Sequence, residues 1–349
     1  MLTAKDFSSR TKSGSTKRYH FLVGKQSCDH QRQPTGVPMK PKPPYAEMPH
    51  VQSFIDWLAM ELHSKTLFNH EYLDRRSGAK WSCETLFGAF KAYSWNFPGN
   101  ARLGYNPGSS PQCNAKALDA LRRDLIAAGS NDALILRGAK DVMAWGGVTA
   151  RNALWLTTNE AGLGRMIQDV KIALIQQNPD APVLRSKSLR FNSGMTKIYS
   201  LLCPNFVIYD SRVAAALGML VVKFCKAQGL TTVPESLCFP WAAAKEASNA
   251  GHPKRRNPSE GTLVFKRLRA GAHHALWNLR ASWILSQVLA HEAAAESPFH
   301  AAGNPADALR RLEQSLFMWG YDLGHAGPAA NDTTGSNDHL GQRENALTA

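Results

Sequence analysis

SGMTKIYSLLCPNFVIYDSRVAAALGMLVVKFCKAQG, Ser193 to Gly229, is the stretch on which the reading of this chain turns. It parses as loop, helix, connector, cap, helix. Gly194 opens an apolar-periodic run that ends at Leu202, where Cys203-Pro204-Asn205 stops it because proline cannot continue a helix. Asn205 to Tyr209 is short and extended in character, and Asp210 stands immediately before Ser211-Arg212-Val213, the first turn of a second run that Gly229 closes.

Helical periodicity also dominates outward from this core. VQSFIDWLAMELHSK places Val51, Phe54, Ile55, Trp57, Leu58 and Leu62 mostly on one face. Further helices are predicted over Cys83–Tyr93, Lys116–Ala128, Asp132–Trp145, Arg151–Leu156, Leu163–Gln177, His273–Glu296 and Ala306–Leu323, with a long loop over Phe97–Cys113. The predicted fold class is mainly α, with few or no strands. Residues 1–45 read as a basic flexible arm ending in a Pro-rich linker, residues 46–326 as a helical domain, with two lobes around a cleft as one arrangement, and residues 327–349 as a disordered tail.

The chain has 349 residues, 44% of them hydrophobic, enough to bury a sizeable core. Its longest apolar run, Val213 to Val222, falls far short of the roughly 20 residues of a spanning helix, so no transmembrane segment is expected. The first residues contain no apolar signal core, and six cysteines without a CxxC pair fit reduced thiols, so a cytoplasmic protein with no metal and no cofactor is expected.

The formal charge of +14 is concentrated. Residues 1–42 net +7, residues 183–226 net +6 and residues 253–280 net +6, so the rest of the chain nets −5. Segregated positive charge of this kind suits a phosphate backbone, and the interleaving with Ser, Asn, Gly and aromatics favours nucleic acid over a membrane surface.

Asp210 is the only acid in the 183–226 window. A carboxylate at a helix start among cations stays ionised, and it can cap the helix while stabilising an oxocarbenium-like sugar or activating a nucleophile. Lys197 lies thirteen residues upstream, at the start of the preceding helix, where a short connector can bring it near Asp210. It is a candidate amine nucleophile or phosphate clamp. Trp145, beside Gly146-Gly147, is a candidate wall for a base pocket, and Arg255-Arg256-Asn257 is a loop of donors suited to phosphate contact. Trp81, Trp95, Trp277 and Trp283 read as core.

Gly194-Met195-Thr196-Lys197 with its apolar helix, followed by Phe206-Val-Ile-Tyr-Asp210-Ser-Arg-Val213, resembles the signature of the helix-hairpin-helix DNA glycosylase superfamily, its oxoguanine-glycosylase-like members above all. The chain is similar in particular to bacterial anti-phage glycosylases that remove hypermodified cytosines. The resemblance implies a helix-hairpin-helix fold in which Gly194 and Thr196 belong to a backbone-gripping hairpin, Lys197 is the amine and Asp210 the required acid. It also implies double-stranded DNA as partner, Arg212 on phosphate and an aromatic base pocket, to which Tyr209 is assigned beside Trp145. The implied activity is excision of a flipped, modified base, either a glucosylated hydroxymethylcytosine of phage DNA or an oxidised guanine, to leave an abasic site, with an added lyase step where Lys197 reacts. A non-catalytic helical DNA-binding protein is the rival reading. A metal-dependent nuclease is disfavoured because the basic windows lack clustered carboxylates.

Overall fold

A computed structural model describes residues 45–75, 77–148, 151–246 and 253–324. The predicted arm, apart from Tyr45, and the predicted tail lie outside them. The described chain is mainly α-helical: α1 Pro49–Met60, α2 Lys65–Phe68, α3 Leu86–Lys91, α4 Pro111–Ala128, α5 Asp132–Trp145, α6 Asn152–Thr158, α7 Leu163–Ile175, α8 Pro182–Arg185, α9 Met195–Leu202, α10 Ser211–Ala227, α11 Ala272–Ala290 and α12 Pro305–Trp319. One antiparallel hairpin, β1 His70–Asp74 with β2 Ala79–Cys83, interrupts the helices.

The hairpin corrects the predicted Cys83–Tyr93 helix. Cys83 pairs with His70 at the end of β2, and the helix starts only at Leu86, capped by the Thr85 hydroxyl. Tyr72 stands opposite Trp81, with ring centroids 4.6 Å apart and planes 15° apart, and such a cross-strand aromatic pair holds the register. α4 also begins earlier than the periodicity suggested. Ser110 caps it and Pro111 occupies the first turn, a start signal that needs no apolar residue. α5 spans Asp132 to Trp145 as predicted, with the Asn131 side chain accepting from Leu134 N–H. α10 runs as predicted from Ser211 and stops at Ala227, one residue short of the expected end.

The apolar side chains gather into two cores. One joins α1, α3, α10, α11 and α12 with the hairpin end; the other joins α4 through α9. Residues 206–210 run between them in extended form without pairing in a sheet. Their alternation is the two-residue period of an extended chain: Phe206 and Ile208 enter the second core, while Val207 and Tyr209 enter the first.

A buried strand-like segment with no neighbouring strand must satisfy its backbone polar groups elsewhere. Side chains of two helices supply that need. Ser282 Oγ accepts from Val207 N–H, Asn278 Nδ2 donates to the Val207 carbonyl, His274 Nε2 meets the Tyr209 carbonyl at 2.8 Å, and Glu313 Oε2 accepts from Ile208 N–H at 2.7 Å. His274, Asn278 and Ser282 recur every four residues and so form one buried polar stripe on α11. This scaffold fixes the position of Asp210 at the end of the segment.

Candidate active site

A cavity of about 560 Å³ opens where elements of the two cores meet, within the range of roughly 300–1,000 Å³ that holds small ligands. Asp210 and Lys197 both line it. Asp210 caps α10: its Oδ1 accepts from Arg212 N–H at 2.9 Å and Val213 N–H at 3.1 Å, and Oδ2 takes no part in the cap. The positive end of the helix therefore holds the carboxylate.

Lys197 arrives from the other core. All eight residues of α9 are buried, so the lysine sits on a helix with no solvent face. Asn192 Oδ1 receives the N–H groups of Gly194 and Met195, which starts the helix, and the Lys197 stem lies across Gly146. A Cβ at Gly146 would stand 2.5 Å from Lys197 Cδ, so any larger residue at the end of α5 would displace the lysine stem from its present path. Burial pushes the ammonium below the usual lysine range, against the fields of Asp210 and Glu313, which favour its charged form. Its Nζ donates a long hydrogen bond to the Ser193 carbonyl at 3.5 Å. A buried amine with a lowered proton affinity is the form in which lysine attacks carbon.

Among the described residues, seven cations and two carboxylates line the cavity. Arg212 lies across the rings of Phe317 and Tyr321, 4.0 and 4.6 Å from their centroids, so its guanidinium plane is fixed by cation–π contact. Arg256 is buried, donates to the Tyr321 carbonyl and to Ser211 Oγ, and is lowered to about 10, chiefly by burial, so it remains charged at neutral pH. Glu313, on α12, is buried and held by Arg310, and burial raises its carboxyl above the ordinary range. Trp145 walls the cavity, with its indole N–H on Asn114 Oδ1. A second cavity of about 500 Å³, bordered by Tyr72 and Trp81, shares Trp95, Arg212 and Tyr321 with the first.

Gly194 and Arg212 are therefore on the cavity wall along with Asp210, Lys197 and Trp145. Other expectations are corrected. Tyr209 is not on the wall: it is fully buried, and its phenol donates to the Pro240 carbonyl. Its parity in the extended segment turns it into the first core, away from the cavity side taken by Ile208. Thr196 cannot touch a phosphate, because it is fully buried with its hydroxyl on the Ser193 carbonyl. Arg255 and Asn257 do not line the cavity either. The guanidinium of Arg255 donates to the carbonyls of Asn257 and Ser259, and Asn257 accepts from Ser259 N–H, so this loop spends its polar groups on its own turn. Arg256 reaches the cavity from beneath and does not present an outer phosphate clamp. Trp95, expected in the core, is on the wall.

Glu313, Arg310, Phe317 and Tyr321 were not singled out by sequence reasoning. Glu313 was the discoverable one, as an acid inside the helical pattern over 306–323. No family model, curated protein or solved structure matches the chain. Among the described residues, no three His, Cys, Asp or Glu side chains assemble as a metal-ligand group, and no helix is long and apolar enough to cross a membrane.

The scaffold under Asp210 carries its own pH test. A carbonyl only accepts, so His274 donates from Nε2 to the Tyr209 carbonyl, and burial lowers its pKa to about 4, which leaves it uncharged at neutral pH. The unfolded chain then binds the extra proton between about pH 6.5 and 4, so stability falls as pH drops through that window. The shift corresponds to about 3 kcal/mol. Urea unfolding at pH 7.5, 5.5 and 4 is expected to show that loss, reduced in His274→Gln. An identical slope in both proteins would contradict it.

Proposed function

We propose that the protein is a DNA glycosylase that receives a nucleotide extruded from the duplex and breaks its N-glycosidic bond. The observation that carries this reading is the pairing of a capped carboxylate, Asp210, with a buried amine of lowered proton affinity, Lys197, on the wall of one cation-lined cavity. The resemblance of residues 193–213 to glycosylases points the same way. The aromatic walls, Trp145 among them, suit an unstacked base, and the cations suit the flanking phosphates.

In this reading the C1′–N bond breaks with its electron pair leaving on the base. Positive charge then spreads over C1′ and the ring oxygen, where the Asp210 carboxylate offsets it. Water attacking C1′ gives its proton to that carboxylate and leaves an abasic sugar. Where Lys197 attacks instead, its nitrogen bonds to C1′ and loses a proton; after ring opening the resulting imine supports β-elimination of the 3′ phosphate. Double-stranded DNA carrying enlarged cytosines is the first substrate class to test, in keeping with a role against phage.

The test is incubation of the purified protein with glucosylated phage DNA and with plain DNA of the same sequence, counting abasic sites by aldehyde labelling. Abasic sites are expected in the modified DNA alone. Intact DNA in both samples leaves the rival reading, a binding protein without chemistry. Magnesium-dependent cutting of plain DNA would make it a nuclease.

A further inference from the structure

Among the described residues the cavity wall has two carboxyls, and Glu313 is the one without a role in the reaction so far. It sits on α12, 4% exposed, and both hydrogen bonds of its carboxyl fall on one oxygen: Oε2 accepts from Ile208 N–H at 2.7 Å and from Arg310 Nη1. Oε1 has no partner among the described residues, yet it is not one of the polar atoms sealed in the interior, so it keeps open surface on a residue that lines the cavity. In a protonated carboxyl the oxygen that receives two donors is the carbonyl oxygen. The proton of Glu313 therefore belongs on Oε1, the open side.

The surroundings favour that proton. Burial raises the carboxyl above the ordinary glutamate range and the field of Asp210 acts in the same direction, while Arg310 and the Ile208 N–H oppose them. Lys197 on α9 and Tyr93, which follows α3, are the other titratable groups that feel Glu313. Position is fixed as well. Arg310 Nη2 also donates to the Ser200 carbonyl at 3.0 Å, which ties the acid to the helix carrying Lys197. Ile208 and Asp210 are two residues apart on an extended segment, about 7 Å, so the Glu313 carboxyl is anchored one short step from Asp210.

We propose that Glu313 is the general acid of this cavity, delivering the Oε1 proton to the departing base while Asp210 offsets the charge on the sugar. The assignment rests on the glycosylase reading for the bond that breaks. As the C1′–N bond opens, its electron pair passes to the base. Glu313 protonates an acceptor atom of that base, the O2 or N3 of a cytosine, and is left as a carboxylate beside Arg310. The base departs neutral, whereas without a donated proton it would have to leave as an anion. Asp210 loses to solvent the proton it takes from the attacking water, and Glu313 regains one from solvent, which closes the cycle.

The test uses the full-length protein. Glu313→Gln keeps both bonds to Ile208 and Arg310, since its amide oxygen accepts from them, and puts an NH2 where the acidic proton stood. Single-turnover release of glucosylated 5-hydroxymethylcytosine from a duplex is expected to slow by about 10²- to 10³-fold, with affinity for the duplex within about twofold of wild type. In wild-type protein carrying carbon-13 in its glutamate side-chain carboxyls, one NMR signal is expected to titrate above the ordinary glutamate range, and Glu313→Gln lacks that signal. A Glu313 that only braces Ile208 and Arg310 would leave base release unchanged and would titrate within or below that range. Base release within about threefold of wild type in the folded variant, or no glutamate titrating above the range, overturns the inference. The titration is made on the wild type, so it decides the matter even where Glu313→Gln does not fold. Base release by both proteins sinks the acid alone. A wild type that releases no base from modified or plain DNA sinks the glycosylase reading and the acid with it.

Discussion

Asp210→Asn is expected to slow base release by a factor on the order of 10²–10⁴ while leaving affinity for duplex DNA and folding stability nearly unchanged. The separation is possible because asparagine caps a helix about as well as aspartate, and both cap bonds fall on Oδ1, which the amide retains. Only the negative charge is lost. A purely structural Asp210 would leave base release untouched, so single-turnover rates measured beside melting temperatures decide between capping alone and capping with chemistry. Base release within about threefold of wild type would remove Asp210 from the reaction.

The second large effect belongs to Lys197. Lys197→Met is expected to abolish the borohydride-trapped adduct between protein and DNA and the strand cutting that follows it, with no loss of stability. Methionine fills similar space on the fully buried α9 and removes a group whose charged form is expensive to bury. The sign of the stability effect follows from the lowered proton affinity: the unfolded lysine holds a proton that the folded site disfavours, so the wild type carries a penalty below the ordinary lysine range of about 10.4 that methionine lacks. Trapping by the wild type is expected to rise with pH and level off below that range, because the free amine is the nucleophile. Trapping that persists in Lys197→Met would assign the amine elsewhere. Abasic sites formed without any trapping in the wild type would make Asp210 and water sufficient.

Much of this site could be read in the sequence because its parts are local. An acid before Ser-Arg-Val, a lysine three residues after a glycine and a proline between two apolar runs are features of one continuous 37-residue stretch, Ser193 to Gly229. Helix type was legible for the same reason, since apolar spacing writes it directly into α5 and α10. The partners that come from distant chain were hidden. Glu313 lies 105 residues from the Ile208 N–H it accepts, and nothing in either stretch announces the other. Tyr209, which the resemblance assigns to the base pocket, lies in the core. In an extended segment adjacent side chains point to opposite faces, and that rule, applied to Phe206-Val-Ile-Tyr, would have sent Tyr209 away from Ile208. Thr196 and the Arg255–Asn257 loop failed for another reason: polarity alone does not tell whether donors face solvent or close their own turn. The stripe of His274, Asn278 and Ser282 shares α11 with His273, Arg280, Ser286 and Gln287, so the sequence does not single out the three that satisfy buried backbone.

The most direct measurement is mass spectrometry of the small molecules released when excess protein acts on a duplex with a single glucosylated 5-hydroxymethylcytosine. Free modified base is expected in amounts equal to the abasic sites formed, and none from Asp210→Asn in the same time. Tightly bound duplex with no free base, or broken strands that still carry the modified nucleotide, would contradict it.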